Sequence, residues 1–221
     1  MTVKDTSTNK RAAATITGWS LIFMAITGGF SLGYAFPELF TPHKIDHLKD
    51  HILHNWGLYQ LMVFGILVTL ILDLIVSYTL YLYFKNDHKR VSLVSGLLRL
   101  IYTVLFGVAT FYLIQNLLID EPSNQIVYTN FQRFQTIWYS GLMLFGIHIF
   151  LTGILMKWHQ KIAKVLYYLT IIAGVAYFLI HGLKLITPEA EIISKLELIL
   201  MIPMILGELG LAIWLLIKGG K

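Results

Sequence analysis

The sequence predicts an all-α membrane protein: a bundle of six transmembrane helices with both termini inside and a short amphipathic helix in the first outer loop. Three observations carry this. Of the 221 residues, 57% are hydrophobic and only 13% charged, whereas soluble domains carry about 25% charged residues. The apolar residues arrive in six blocks, each long enough, at roughly 20 residues, to cross the hydrocarbon core as a helix. Lysine and arginine also alternate between loops: eleven fall on one side and five on the other, where eight acids join them. The positive-inside rule then places both termini in the cytoplasm.

Residues 1–11 form a polar tail with Lys4, Lys10 and Arg11, a composition that reads as disordered. The first helix is placed near 12–36. It is too long for a signal-peptide core and ends in Pro37-Glu38, so it reads as a retained helix. The others are placed near 56–84, 91–118, 135–156, 162–185 and 194–217. None shows the short alternation of barrel strands. Trp56, Tyr59, Trp138 and Tyr139 mark outer helix ends, and Tyr83, Trp158 and Trp214 mark inner ends, as aromatic belts do. Gly28, Gly29 and Gly33, with Gly207 and Gly210, suit close helix packing. Pro203 should kink the last helix. Residues 12–218 thus read as one domain, with no internal repeat of the kind that inverted-repeat transporters show.

The chain has no cysteine, which excludes disulfides, thiolate metal sites and cysteine nucleophiles. The net charge of +5 comes from short juxtamembrane clusters and not from a basic stripe, so nucleic acid is not an expected partner. Membrane lipids are, and homo-oligomers could form.

Charges inside a membrane helix are costly and usually face the bundle interior. The chain carries Asp73, Arg99, His148 and Glu208 in four different helices. Asp73 stands 12 residues from Lys85, Arg99 9 from Arg90, His148 9 from Lys157 and Glu208 10 from Lys218. At about 1.5 Å per residue, all four lie roughly 13–18 Å from the inner edge. One reading is a structural network, with Asp73–Arg99 pinning two consecutive helices. The other is a polar pocket that binds a small ligand or passes protons. No nucleophile stands beside a base, and Ser77 and Ser20 are candidates only by elimination, so no catalytic residue is assigned.

The segments LDLIVSYTLYLYFK around Asp73, GLLRLIYTVLFG around Arg99, FGIHIFLTGIL around His148 and GELGLAIWLLIKG around Glu208 carry a resemblance. They resemble the bacterial multi-pass membrane family catalogued as domain of unknown function 4386, from about Trp56 to the end and in the same order. The resemblance implies a six-helix protein of the bacterial inner membrane and puts Asp73, Arg99, Tyr102, His148 and Glu208 on family motif positions. It implies no activity. Residues 37–55 resemble the family little.

Four of the eight histidines lie in HKIDHLKDHILH, residues 43–54. In a helix turning about 100° per residue, His43, His47, His51 and His54 share one face within about 80°. Asp46 and Asp50 flank them, and Ile45, Leu48 and Ile52 lie opposite. The segment reads as an interfacial helix. Its histidine face is either a plain polar surface, a zinc or copper site, or a proton sensor. A haem held by two histidines is disfavoured, because His148 and His181 differ in depth by roughly 12 Å.

Three functions follow: binding or transport of a small ligand or ion at the charged layer, an intramembrane enzyme acting on a lipid-like substrate, or a structural or accessory subunit. The missing HExxH and paired-Asp motifs count against the enzyme.

Overall fold

Apolar runs of this length must satisfy their own backbone, and they do so as helix; no strand occurs among the described residues. The structure is a computed structural model that describes residues 3–40, 47–119, 123–159, 161–187 and 190–219. Helix α1 (Val3–Gly28) passes through a π-helical segment (Gly29–Ala35) into a short α2 (Phe36–Leu39). There follow α3 (Leu48–His54), α4 (Trp56–Leu118), α5 (Asn124–Trp158), α6 (Lys164–Ile186) and α7 (Glu191–Ile217). Five stretches are long and apolar enough to cross a membrane: Asn9–Leu39 and the whole of α4, α5, α6 and α7.

Helix α4 is 63 residues long, about three times what one crossing needs. At His88 its backbone leaves the helical region, with φ −149° and ψ 88°. The two halves, 56–87 and 89–118, fold back on one another. The Tyr59 hydroxyl donates to the Leu113 carbonyl at 2.8 Å, and the Ser92 hydroxyl to the Tyr81 carbonyl at 3.0 Å. Gly96 allows this contact, since a Cβ there would lie 3.0 Å from the Ser77 carbonyl.

The helices close into a ring: α1 packs on α4, α4 on α5, α5 on α6, α6 on α7, and α7 returns to α1. Two apolar clusters fill its ends. One holds Phe36, Phe40, Tyr59, Phe106 and Phe134. The other, nearer the termini, holds Ala14, Leu21, Phe84, Met156 and Leu215. Outside, Phe64, Ile71, Tyr78, Phe111, Leu198 and Ile202 are exposed. A belt this apolar suits lipid and would be a liability in water.

Helix α1 begins at Val3, within the stretch whose composition suggests disorder. A tether accounts for the order at its inner part: Arg11 donates to the carbonyls of Leu215, Leu216 and Gly219, at 2.6–3.2 Å. Those carbonyls lie in and just past the last turn of α7, where helical N–H partners run out; Leu215 also accepts from the Gly219 N–H at 3.1 Å. Helix α5 starts eleven residues before the expected 135. Ser123 caps it, accepting from the Ile126 N–H at 3.3 Å, and the buried Asn130 side chain donates to Asn116 at 2.8 Å. Polar residues that looked like loop therefore extend the helix. In the π segment the Phe36 N–H reaches back to the Ser31 carbonyl. This wide turn points Ser31 at Gly65, where no Cβ could fit beside its hydroxyl.

Candidate functional site

Asp73 lies in the first half of α4 and Arg99 in the second, and the hairpin brings them together. Arg99 Nε and Nη2 both donate to Asp73 Oδ1, at 2.9 and 2.6 Å. Each side chain is 1% exposed, so neither charge could stand there alone. The third nitrogen, Nη1, faces His148 Nε2 at 3.3 Å. The guanidinium lies 5.2 Å over the Phe145 ring, and Nη2 also reaches Met24 Sδ of α1 at 3.7 Å.

His148 has one tautomer consistent with its neighbours. Its Nδ1 lies 2.8 Å from the Ser95 carbonyl, which can only accept. Nδ1 therefore carries the hydrogen, and Nε2 accepts from Arg99. Ser95 Oγ is also 2.9 Å from Nδ1, but a nitrogen that already donates to the carbonyl cannot take the serine's proton. The pair is not a nucleophile with its base. Thr152 closes the network by donating to the His148 carbonyl at 2.9 Å.

Glu208 of α7 does not touch Arg99 directly. It accepts from the Tyr177 hydroxyl at 3.0 Å. Glu208, Arg99 and His148 nevertheless line one cavity, together with Leu21 of α1, Leu80 of α4, Thr152 of α5 and Thr170 of α6. Every long helix of the ring, and both halves of α4, contribute. The space open to a water's centre is about 10 Å³, close to what one water needs. Tyr102 lies one turn from Arg99 and belongs to the aromatic floor. Its ring is 5.8 Å from Phe106 and 4.7 Å from Phe145, and it is not among the residues lining the cavity.

Sequence reasoning missed Tyr177, Ser95 and Thr152. Ser95 and Thr152 stand four residues from Arg99 and His148, a spacing that puts each on the same helical face as its ionisable neighbour. Tyr177 had a weaker signal. With Thr170, His181 and Lys184 it marks a polar stripe along α6.

Of the histidine face, His43 lies outside the described residues. Leu48 and Ile52 are buried, as an amphipathic helix requires. His51 donates to the Glu38 carbonyl at 3.1 Å, and its other nitrogen accepts from Asn55 at 3.4 Å. His47 and His54 are exposed. Among the described residues, no three histidine or carboxylate side chains are grouped to hold a metal.

A second polar cluster sits at the end bearing the termini. His159 Nδ1 donates to Asp87 at 2.8 Å, the Tyr83 hydroxyl faces His159 Nε2 at 3.4 Å, and Lys10 pairs with Asp87 at 3.5 Å. Burial lowers the His159 pKa below the ordinary histidine value; the hydrogen bond and charge of Asp87 oppose this, and Lys10 and Lys161 reinforce it. A depressed folded pKa means that the unfolded chain takes up the proton first as pH falls. The His159 contribution is therefore complete above the ordinary histidine pKa, about 6.5, and is lost as pH falls toward the folded value. Thermal midpoints in detergent should drop on acidification from about pH 7.5 to 5.5, and His159→Gln should flatten that slope. Equal slopes in the two proteins would remove His159 from the account.

A family model described as domain of unknown function (DUF4386) matches residues 16–219. The match reaches into the first helix, beyond the Trp56 boundary at which the sequence motifs begin. An uncharacterized protein of Archaeoglobus fulgidus is 30% identical over 159 residues, covering 72% of this chain and 84% of that protein. That relative is archaeal, so a bacterial origin does not follow from the likeness. No solved structure matches the chain.

Proposed function

Because the chain belongs to the family described as domain of unknown function (DUF4386), whose description assigns no activity, we propose from its own geometry that it binds a small ion within the membrane. The chain crosses the membrane six times, with the α4 hairpin supplying two passes. Both termini face the cytoplasm. The lysine and arginine distribution supports this side, and the contact of Arg11 with the end of α7 supports both termini sharing it. The membrane is the cytoplasmic membrane of the cell.

Glu208 carries the functional reading. Asp73 and Arg99 offset each other, and His148 accepts from Arg99. Glu208 is then a half-buried carboxylate on a small cavity, and it forms no salt bridge among the described residues; Tyr177 gives it one hydrogen bond. A proton or a small monovalent cation completes its charge, and the size of the cavity favours these over an organic ligand. Thermal unfolding in detergent tests this, with sodium, potassium or lithium chloride compared against choline chloride. A cation at 100 times its Kd should add about 2.7 kcal/mol to the wild type and nothing to Glu208→Gln. A shift that follows pH and not salt, and that Glu208→Gln removes, would name the proton as the ligand. Wild type and variant responding alike to every salt and pH would overturn the reading.

A structural role has one observation in its favour: the Asp73–Arg99 pair is fully enclosed and by itself locks the α4 hairpin. A pure lock requires no ion at Glu208, so the same measurement separates the two.

A further inference from the structure

The two ends of the bundle repeat one arrangement on unrelated residues. At the inner end, Lys10 of α1 pairs with Asp87 at 3.5 Å. Its Nζ lies 5.0 Å over the Tyr83 ring, and the His159 ring stands 5.6 Å from the same tyrosine. At the outer end, Lys184 of α6 pairs with Glu197 of α7 at 2.6 Å. Its Nζ lies 5.1 Å over the Tyr139 ring, and the His181 ring stands 5.6 Å from that tyrosine. Each cluster is a lysine–carboxylate pair set on a tyrosine face, with a histidine against the ring. The inner one joins α1, the turn of α4 and the segment after α5. The outer one joins α5, α6 and α7.

The cavity lies between them. On the outer side Tyr177 links the two regions: its hydroxyl holds Glu208, and its ring stacks on His181 at 5.8 Å. His181 in turn donates to the Tyr177 carbonyl at 2.8 Å. Thr170, Tyr177, His181 and Lys184 fall on one face of α6, a polar lane from the cavity to the outer cluster. On the inner side Leu80 lines the cavity one turn from Tyr83.

The end pairs differ from the central one in a way that matters for motion. Lys10 and Asp87 are 21% and 25% exposed, and Lys184 and Glu197 16% and 35%. Partly solvated pairs are weak and separate at small cost, whereas the enclosed Asp73–Arg99 pair does not. A bending point also lies beside each end pair. Pro203 stands inside the continuous α7 between Glu197 and Glu208 and removes one helical N–H there. The break at His88 adjoins Asp87.

We propose that these clusters are the two gates of the mid-bundle site. Lys184–Glu197 on Tyr139 closes the outer route, and Lys10–Asp87 on Tyr83 closes the inner one. The structure, with both pairs formed, is then the state with both gates shut of an alternating-access carrier for the proton or small cation held at Glu208. The proposal rests on the ion-binding reading of that site and adds to it the claim that the ion passes through.

The absence of native cysteine makes a labelling test direct. Thr170→Cys places one thiol on the cavity wall. A cationic, membrane-impermeant methanethiosulfonate reagent is applied to whole cells for the outer face and to inverted vesicles for the inner face. The reporter alone should react slowly from both. Adding Glu197→Gln, or separately Lys184→Met, should speed labelling about threefold from the outer face only, as the minor open state gains population. Asp87→Asn, or separately Lys10→Met, should do so from the inner face only. Two variants per gate guard against one that fails to fold, and the melting temperature of each is checked. Unchanged rates, or both pairs of variants acting on the same face, would overturn the gates. Stabilisation by salt and by pH is measured on the wild type, whose Thr170 is intact. If it is present while labelling is unchanged, the gates fall and the site stands. If it is absent, the ion-binding reading and the carrier fall with it, whatever the labelling shows.

Discussion

Asp73→Asn is expected to destabilise the folded bundle by about 3–5 kcal/mol, the cost of leaving one member of a buried ion pair without its partner. The geometry allows little escape. Arg99 spends two of its nitrogens on a single Asp73 oxygen, and an amide oxygen in that place supplies no charge. The remaining contacts of the guanidinium, His148 Nε2, Met24 Sδ and the Phe145 ring, are all uncharged. Arg99→Met alone should cost a similar amount by stranding Asp73. The double variant Asp73→Leu/Arg99→Met should cost less than either single change, because it removes both charges and keeps the volume filled. Thermal or denaturant midpoints of the four proteins in one detergent give the comparison. A double variant as unstable as the sum of the singles would show that the two residues do not act as a pair.

The second large effect is steric. In Gly174→Ala the new Cβ would press on the Phe150 backbone nitrogen, lie 2.7 Å from the Phe150 Cα and 2.8 Å from the Gly146 carbonyl oxygen. All three are main-chain atoms of α5, so no side chain can rotate away. Gly146 is the reciprocal case, with a Cβ 2.7 Å from the Phe178 nitrogen. Relief requires that α5 and α6 part, and with them His148 and Tyr177. Overpacking usually costs about 1–3 kcal/mol. Gly174→Ala should reach the top of that range, and Gly174→Leu should prevent folding. Gly107 provides the contrast, since it has open space around it. Gly107→Ala should stabilise by up to about 1 kcal/mol through helix propensity alone. Melting temperatures that move alike in Gly174→Ala and Gly107→Ala would sink the steric account.

Counting residues inward from the basic flanks was enough to bring Asp73, Arg99, His148 and Glu208 to one layer. In the structure Arg99 hydrogen-bonds both Asp73 and His148, and Glu208 lines one cavity with Arg99 and His148. Depth along a helix is a local property, legible from rise per residue. Rotation about the axis and partner choice are not local, and there the sequence said less. Tyr102 shares the motif but turns into the aromatic floor. Tyr177 carries no charge to mark it, yet holds Glu208. The end clusters join Lys10 to Asp87 and Lys184 to Glu197 across turns whose geometry no periodicity encodes. The early start of α5 escaped for a related reason: Asn130 is satisfied by Asn116 of α4, and composition alone reads such polar residues as solvent-facing.

The break at His88 also bears on how the chain is made. A lone arginine at the centre of a helix entering the bilayer costs about 2.5–3.5 kcal/mol to insert, and a lone aspartate about as much. Asp73 and Arg99 sit on opposite arms of one hairpin, already joined. If the arms enter lipid together, neither charge meets the hydrocarbon uncompensated. In the orientation proposed above, Lys85, Lys89 and Arg90 at the bend stay behind on the side of synthesis. Entry of residues 56–118 as one hairpin avoids the cost that either arm would meet alone.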